Sequence, residues 1–507
     1  MNSEPNQTGS GVGEVECGSM GDKGNQQQFE IENLKLKIEN CPPLPQSHTP
    51  TPLPHAHQRR PRSAARLLTL AALLVAAPAL ASSLAARLQE PYLSGLRRGA
   101  QPLRQGAVPT ERSGEFLDVR CVLHAHSQLS HDSRGTEQQL IAAAKAAGVR
   151  AVFMTEHPTP DRKWQTEGLR GEKDGVLFIP GAELSDGLIV WRGEKANWAP
   201  GDKAGQVLES LKDSDGVAFV AHPEHRKTDA DWDLPPYAGM EIYNSHADAA
   251  DSEFEKVLPS LRADNPLKLL TMVSMLKKYQ REAFAAIFDE QSEVLKRWDT
   301  LNERFLSSGR RVVGIAGNDS HQNVGMSVEA AEDGLIIKDA LNKTVSTVPK
   351  KDLPLLLLGP LKPGAVLLSH TFDPYEVSMG YVNTHVLAPE VTEPALFDAL
   401  LKGRAYVAFD WIANPSGFRY FAKTGDRTIE MGGDVKAADQ PTLTVQTNLP
   451  SQIRLLRNGQ EVKRTEGNEL TFEVKEPGVY RSEAWVHVGE EERPWIYSNP
   501  VYALPAP

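Results

Sequence analysis

The chain has 507 residues, more than one hydrophobic core usually spans, so we expect two or three domains. Apolar residues make up 40% of the chain and charged residues 24%, which is typical of a soluble globular protein. The formal net charge is −11, and so acidic a chain lacks the basic surface that a nucleic-acid backbone requires. We therefore expect no nucleic-acid partner. The three cysteines do not form the pattern of a disulfide framework or of a cysteine-rich zinc site.

The N-terminal region predicts export. Residues 1–58 are rich in Asn, Gln, Pro, Ser and Gly, and we predict a disordered tail. Several arginines then precede the apolar run Leu67–Leu80, which closes on the small residues of Ala79-Leu80-Ala81, a layout typical of a secretory signal peptide. The apolar stretch 67–86 also has the length of a membrane-spanning helix. Both interpretations place the rest of the chain in the periplasm or the extracellular space, either released or anchored in the membrane.

From about Leu117 the sequence changes to short apolar runs that each close on polar residues. Continuous runs of this kind are typical of strands buried on both faces. The runs are Val119–Leu123, Arg150–Thr155, Val176–Ile179, Gly216–Val220, Met240–Tyr243 and Val312–Ile315. Helical stretches lie between several of them, for example Thr136–Ala147 and Gly205–Leu211. This alternation predicts an α/β fold of the βα-barrel type, in which reactive groups gather at the carboxyl ends of the strands.

Two regions depart from this alternation. Residues 247–310 predict a helical insertion, because the long stretch from Phe254 to Phe305 is charged and apolar in a helical pattern. Beyond about Phe409, short alternating strands and a turn signal at Asn458-Gly459 predict a small all-β domain, an Ig-like sandwich. The predicted domains, in chain order, are a tail over 1–58, a signal peptide or anchor over 59–86, a linker over 87–116, a metal-binding barrel over 117–408 and a β-sandwich over 409–507.

Histidines and carboxylates stand at the ends of these predicted strands. His124 and His126 are two residues apart, so on a strand both imidazoles point to the same face. The further residues of this kind are Asp132, His157, Glu183, His222, Asp319 and His321. Imidazole together with carboxylate suits zinc, manganese or iron better than calcium. Since a carboxylate can bridge two cations, we predict two or three divalent metal ions. A structural metal, or a nest of buried hydrogen bonds, would account for only a few of these residues.

The ordered motifs resemble those of the polymerase-and-histidinol-phosphatase (PHP) superfamily. They are His124-Ala125-His126-Ser127, Ser130-His131-Asp132-Ser133-Arg134-Gly135, Thr155-Glu156-His157, Gly181-Ala182-Glu183, Ala221-His222-Pro223 and Asp319-Ser320-His321. The resemblance covers roughly residues 117–325. It implies a distorted (β/α)7 barrel, up to three metals and phosphoesterase activity. The segment Ser498-Asn499-Pro500-Val501-Tyr502, after a β-rich region, is also similar to exported members.

The same resemblance implies how the ligands are shared. His124 and His126 would hold one ion with Glu183 and Asp319. Glu183 would bridge to a second ion bound by His222. The third ion would take Asp132, His157 and His321.

The sequence departs from the family pattern in two places. The family usually has a further histidine shortly after the bridging glutamate, whereas Leu184–Pro200 contains none. His225 or His246 could substitute, although each is better interpreted as a supporting or surface histidine. His131 and Asp132 both lie near the family's third ligand position, and we favour Asp132.

These features predict a metal-dependent phosphoesterase that hydrolyses a small-molecule phosphate ester with a metal-activated water. Arg134 and Arg226 stand beside ligand motifs and are predicted to hold the phosphate. His321 and His222 are the candidates for protonating the leaving group. Two alternatives stay open, namely a metal-dependent hydrolase of carboxylic or carbamic esters and a non-catalytic metal-containing binding protein.

Overall fold

The computed structural model describes residues 84–108, 115–161, 167–225, 237–251, 266–288, 291–353 and 362–505. All of them belong to one compact unit, Ala71–Pro507. The predicted tail over 1–58, nearly all of the predicted signal or anchor segment over 59–86, and Arg226 lie outside the described residues. Within the described part of the chain, no helix combines the length and the apolar character that crossing a membrane requires.

The strands are numbered in chain order. The first nine are β1 (Leu117–Val122), β2 (Ala151–Phe153), β3 (Gly171–Lys173), β4 (Val176–Ile179), β5 (Gly181–Leu184), β6 (Leu188–Trp191), β7 (Val217–Val220), β8 (Gly239–Asn244) and β9 (Val313–Gly317). The next four are β10 (Gly325–Ala331), β11 (Gly334–Asp339), β12 (Thr344–Pro349) and β13 (Val366–Thr371). The others are β14 (Asn383–Ala388), β15 (Ala405–Ala408), β16 (Arg419–Thr424), β17 (Arg427–Glu430), β18 (Asp434–Lys436), β19 (Thr442–Arg457), β20 (Gln460–Glu473), β21 (Gly478–Val488), β22 (Glu491–Ser498) and β23 (Val501–Leu504).

The helices lie between these strands and before β1. They are α1 (Leu84–Arg87), α2 (Glu90–Gly106), α3 (Glu137–Ala147), α4 (Ala204–Leu211), α5 (Ser245–Asp251), α6 (Pro266–Lys278), α7 (Gln280–Ala286), α8 (Ser292–Phe305), α9 (Tyr375–Ser378) and α10 (Glu393–Leu401). Most of the described residues of the predicted helical insertion over 247–310 lie in helices α5 to α8. The predicted linker over 87–116 contains α2, whose buried Leu93, Leu96 and Ala100 form one apolar stripe that packs on β21 and α7.

Two sheets meet where the predicted ligands stand. In the five-stranded sheet β5-β6-β7-β8-β9, strands β7, β8 and β9 are parallel. Strands β1, β2 and β4 are parallel neighbours in a 14-stranded sheet. Single parallel bridges join the two sheets, from Ala125 to Ser320 and from Glu156 to Ala182. The residues that follow β1 thus lie beside those that follow β9, and the residues that follow β2 lie beside β5.

The six predicted apolar runs are confirmed as β1, β2, β4, β7, β8 and β9, and their side chains fill the space between the two sheets. Cys121, Phe153, Ile179, Phe219 and Ile315 belong to one buried apolar cluster there. Their burial stabilises each strand by removing apolar surface from water. Cys121 is a free, buried thiol in this cluster, which agrees with its apolar surroundings in the sequence.

Helix α3 begins and ends as its sequence predicts. The Thr136 hydroxyl accepts a hydrogen bond from the Gln139 amide, and the Gln139 side chain accepts one from the Thr136 amide, which forms a capping box. The helix stops at Gly148, whose φ of 69° lies in the left-handed region.

The C-terminal strands continue the 14-stranded sheet. Strand β14 pairs antiparallel with both β1 and β15, and β15 pairs with β22. The predicted boundary near Phe409 therefore falls within one hydrogen-bonded sheet. The turn predicted at Asn458-Gly459 is confirmed, since both residues have positive φ and they join β19 to β20. The chain is a mixed α/β protein with large sheets, which confirms the predicted class at that level.

A four-stranded antiparallel sheet in the order β12-β11-β10-β13 follows the last ligand motif. We refer to the described residues of this sheet and its turns, 325–353 and 362–371, as the β-arm. One face of the β-arm has a small core of its own, in which Val328, Leu335 and Ile337 pack with Val273 of α6. This sheet was not predicted from the sequence.

Candidate metal centre

The structure brings the predicted metal ligands together in one place. Two groups have ligand atoms that all lie within 4.8 Å of one another. The first contains His124, His126, Glu183 and Asp319, and the second contains His126, Asp132, His157 and His321. We call them the buried group and the open group, because every member of the first is buried whereas Asp132 and His157 are partly exposed.

Imidazole nitrogens and carboxylate oxygens of the buried group face one point. The Nε2 atom of His124 lies 3.1 Å from Nε2 of His126 and 3.1 Å from Oε2 of Glu183. The same Nε2 atom lies 3.2 Å from Oδ1 of Asp319. That Oδ1 atom is buried and accepts no hydrogen bond from any described residue. A buried carboxylate oxygen in this state is costly unless a cation binds it.

Two further carboxylates orient the histidines of the buried group. The Nδ1 atom of His124 lies 2.7 Å from Oε1 of Glu241. The Nδ1 atom of His126 lies 3.1 Å from the Ser130 hydroxyl, which donates to Glu156 over 2.7 Å. When the rings are neutral, these contacts favour the proton on Nδ1 and leave Nε2 of each ring able to bind a metal. The two Nε2 atoms lie 3.1 Å apart with carboxylate oxygens of Glu183 and Asp319 beside them, so the residues present fit a divalent metal.

Glu241 is a central residue that the sequence analysis did not single out. It is fully buried on β8, and besides His124 it accepts hydrogen bonds from the His222 amide over 2.6 Å and from Asn244 Nδ2 over 2.8 Å. Gly317 on β9 leaves room for it, since a Cβ atom there would collide with the Glu241 carboxylate. A lone carboxylate within the apolar run Met240–Tyr243 was the available signal.

Two of the ligands have an uncommon backbone conformation. His222 has a φ of 27° and Asp319 has a φ of 49°. Positive φ costs a residue with a Cβ atom about 1–3 kcal/mol and persists only where neighbouring contacts hold it. At His222 the contact is the hydrogen bond to Glu241. Beside Asp319, the Asn318 side chain donates to the carbonyl oxygens of Val382 and Ser378.

The open group forms the more accessible side of the centre. Oδ2 of Asp132 lies 3.2 Å from Nε2 of His157 and 3.3 Å from Nε2 of His321. Its other oxygen, Oδ1, is buried and accepts no hydrogen bond from the described residues. His126 belongs to this group as well as to the buried one, whereas the resemblance assigned it to the first ion alone.

Glu183 stands between the buried group and His222. Its Oε1 atom contacts Nε2 of His222, while Oε2 faces the two histidines of the buried group. One carboxylate thus offers an oxygen to each side, which is the arrangement of a bridging ligand. His246 is one of the two histidines that could replace the missing family histidine. It lies at the metal centre, with its Nδ1 atom 3.6 Å from Oδ2 of Asp319. The side chain of His225 lies outside the described part of the chain.

The charges of the centre favour cations. Burial by itself lowers the pKa of His124, but Asp319, Glu241 and Glu183 hold that pKa well above its ordinary value. Burial opposes the shift at His222 too, yet contact with Glu183 raises the pKa of His222 to about 9. Burial would raise the pKa of Glu183, and the histidines instead hold it well below the usual range. A site that retains positive charge against burial is suited to a divalent cation.

Of the two arginines that were predicted to bind phosphate, only Arg134 is described, and its guanidinium group contacts the β-arm. The Arg134 guanidinium donates to the Leu341 carbonyl oxygen, in the turn between β11 and β12 of the β-arm. This contact ties the loop that carries Asp132 to the β-arm. Arg226 lies outside the described residues.

Comparisons with solved structures give several similar chains. No family model matches the chain, and no curated protein matches it. One of the similar chains is a two-domain protein from Bacteroides vulgatus ATCC 8482 described as containing a predicted PHP-like metal-dependent phosphoesterase. The two are 11% identical, with 78% of this chain and 97% of that chain covered and a TM-score of 0.32. A TM-score this low establishes neither the fold nor the function of this chain.

Proposed function

We propose that the chain is a metal-dependent phosphoesterase of the PHP type. The convergence of His124, His126, Glu183 and Asp319, next to an open group that shares His126, supports this proposal most directly. A single structural ion needs about four ligands, and eight residues arranged around a shared carboxylate exceed that need.

The residues of the centre would have three roles: binding metal ions, orienting the histidines and donating a proton. The buried group would hold one divalent ion, and Asp132, His157 and His321 would hold another, with zinc, manganese or iron as the ions that suit these ligands. Divalent ions in such a centre supply Lewis acidity and an activated water. Glu241 and Ser130 keep the two histidines of the buried group in the binding tautomer. His222 and His321 lie at the centre beside carboxylates, and whichever of them is not bound to a metal is the candidate to protonate the leaving group.

The fold supports the same proposal. The strands β1, β2, β4 and β5–β9 belong to two sheets joined by the bridges at Ala125 and Glu156. We propose that they form the distorted barrel that the resemblance implies. In barrels of this kind the reactive groups lie at the carboxyl ends of the strands, and here the ligands follow β1, β2, β7 and β9.

Hydrolysis by purified protein tests the function. The protein is stripped with a chelator, reloaded with zinc, manganese or iron, and assayed with p-nitrophenyl phosphate, bis(p-nitrophenyl) phosphate and p-nitrophenyl acetate. We expect metal-dependent release of p-nitrophenol from a phosphate ester. His487, an exposed histidine on β21, offers a matched control, since His487→Ala should keep the activity that His124→Ala loses. Cleavage of the acetate alone would favour the carboxyl-ester alternative, and metal binding without any hydrolysis would favour a binding protein.

We also propose that the catalytic unit is exported. The basic and apolar sequence over 59–86 supports this proposal. A reporter that is active only outside the cytoplasm, fused after Gln89, should give a signal. A silent reporter together with cytoplasmic fusion protein would contradict export, and fractionation would separate a released product from an anchored one.

A further inference from the structure

A second polar cavity lies away from the metal centre. It has a volume of about 150 Å³, room for about five water molecules. Three guanidinium groups from three different elements line it: Arg104 of α2, Arg120 of β1 and Arg281 of α7. We call it the arginine cavity. Short helix α9 separates it from the centre, because Tyr375 donates to the His126 carbonyl oxygen while Glu376 lines the cavity.

The three arginines are incompletely paired. Arg104 is fixed by Nε and Nη2, which both donate to the Trp411 carbonyl oxygen. Arg120 has its Nε atom 3.3 Å from Oδ2 of Asp410, and that buried Nε atom has no hydrogen bond within the described residues. Arg281 is exposed, and no hydrogen bond or ion pair joins it to another described residue. Some guanidinium N–H groups at the cavity thus have no hydrogen-bond acceptor among the described residues.

The carboxylate that lines the inner side is already engaged. Oδ2 of Asp410 accepts a hydrogen bond from Asn383 Nδ2 over 2.9 Å and lies 3.2 Å from Nε2 of His385. His385 is buried between Asp410 and Asp118; burial opposes its protonation, but the two carboxylates raise its pKa to about 9. His385 is therefore positively charged at neutral pH, and together with Arg120 it balances the carboxylates of Asp118 and Asp410. The unbalanced positive charge of the cavity thus lies on Arg104 and Arg281. The other carboxylate, Glu376, is exposed at the rim.

Like charges facing one small cavity repel each other. Burial lowers the pKa of Arg104, and neighbouring Arg281 lowers it further, although Glu282 opposes both effects. Such an arrangement is stabilised when an anion accepts the remaining N–H groups, since guanidinium forks match the oxygens of phosphate, sulfate or carboxylate.

We propose that the arginine cavity binds a small oxyanion of the size of phosphate or sulfate, held by Arg104, Arg120 and Arg281. The site is separate from the metal centre and does not depend on the proposed hydrolysis. Free anions fit the volume, so inorganic phosphate and sulfate are the probes.

Thermal unfolding of the full chain tests the proposal. Phosphate or sulfate is titrated at constant ionic strength, with chloride as the balancing salt, in wild-type protein, Arg281→Gln and Arg98→Gln. Arg98 is the matched control: it is exposed on α2, loses the same charge on substitution and does not line the cavity. We expect both anions to raise the midpoint of unfolding, and Arg281→Gln to weaken the apparent affinity about tenfold, the effect of losing one charge-assisted hydrogen bond. Arg98→Gln should behave as wild type.

His124→Ala separates this cavity from phosphate bound at the metals, because the response should persist in that variant. Equal responses in wild type and Arg281→Gln, an equal loss in both arginine variants, or no response to either anion would each overturn the proposal.

Discussion

The buried and open groups of the metal centre contain similar ligands in different surroundings. His124 is fully buried, and the side chains of Glu183 and Asp319 are 6% and 5% exposed. Asp132 and His157 are 28% and 22% exposed. The histidines of the buried group are also oriented through Nδ1 by Glu241 and Ser130. Orientation and exclusion of water strengthen metal binding, so we expect the buried group to hold its ion more tightly than the open group, which is the side that meets the substrate.

The largest effect should come from the buried group. His124→Ala or Asp319→Ala removes a ligand from the point where four residues converge, and we expect activity to fall by more than about 100-fold, beyond the cost of losing an outer partner. The apolar core between the sheets stays intact, so circular dichroism should show a folded protein. Activity within a few-fold of wild type would contradict the role of the buried group.

Removing the support of a ligand should cost less than removing the ligand. Glu241→Gln keeps the shape of the side chain but loses the charge that fixes His124, and we expect metal affinity or activity to fall about 10- to 100-fold. Glu172→Gln, on an exposed position of β3, is the matched control. If both variants keep wild-type metal affinity, measured by competition with a chromophoric chelator, then Glu241 does not support the centre.

The number of ions that survive dialysis should separate both groups from the position at His222. We predict about two tightly held ions per chain, one in the buried group and one on Asp132, His157 and His321, with the position at His222 weakly filled because the sequence lacks one family histidine. Elemental analysis after extensive dialysis gives the number. Three retained ions, unchanged when His225 and His246 are both alanine, would show that other residues complete that position.

The most graded effect is the dependence on pH, which changes metal affinity by small steps. In metal-free protein the pKa of His222 is raised to about 9, so at neutral pH a metal must displace a proton from this ring. Affinity at His222 should therefore rise with pH, by about tenfold per unit, up to about pH 9. The stabilisation that protonated His222 gives the metal-free fold is complete below the ordinary histidine pKa and is lost as pH rises through about 9. Metal titrations between pH 6 and 9 should show this slope, which His222→Gln should reduce, and a flat profile would contradict it.

The predicted metal ligands could be found from the sequence, whereas the residues that orient them could not. The ligands follow apolar runs, so their position at strand ends was visible without a structure. Glu241 lies inside such a run, and its partners His124 and His222 are distant in sequence, so only the folded chain shows its role. Glu156 and Ser130 stood within recognised motifs, but their contacts with the histidines depend on the bridge between Glu156 and Ala182.

Strand order was predictable only in part. Parallel βα units follow from local patterns, whereas β6 runs antiparallel to both of its neighbours and is joined to β5 by a short turn rather than a helix. The pairing of β1 with β14 and of β15 with β22 joins residues far apart in the chain. Such pairing leaves no short-range signal, and for this reason the C-terminal strands were predicted as a separate domain.

Anomalous X-ray diffraction from crystals grown with zinc or manganese tests the central claim most directly. We predict a strong metal peak in the buried group, about 2.0–2.2 Å from Nε2 of His124 and His126 and from carboxylate oxygens of Glu183 and Asp319. A second peak should lie between Asp132, His157 and His321, with lower occupancy after brief chelation. Crystals that bind metal elsewhere while this cluster shows no peak would contradict the assignment of a metal centre.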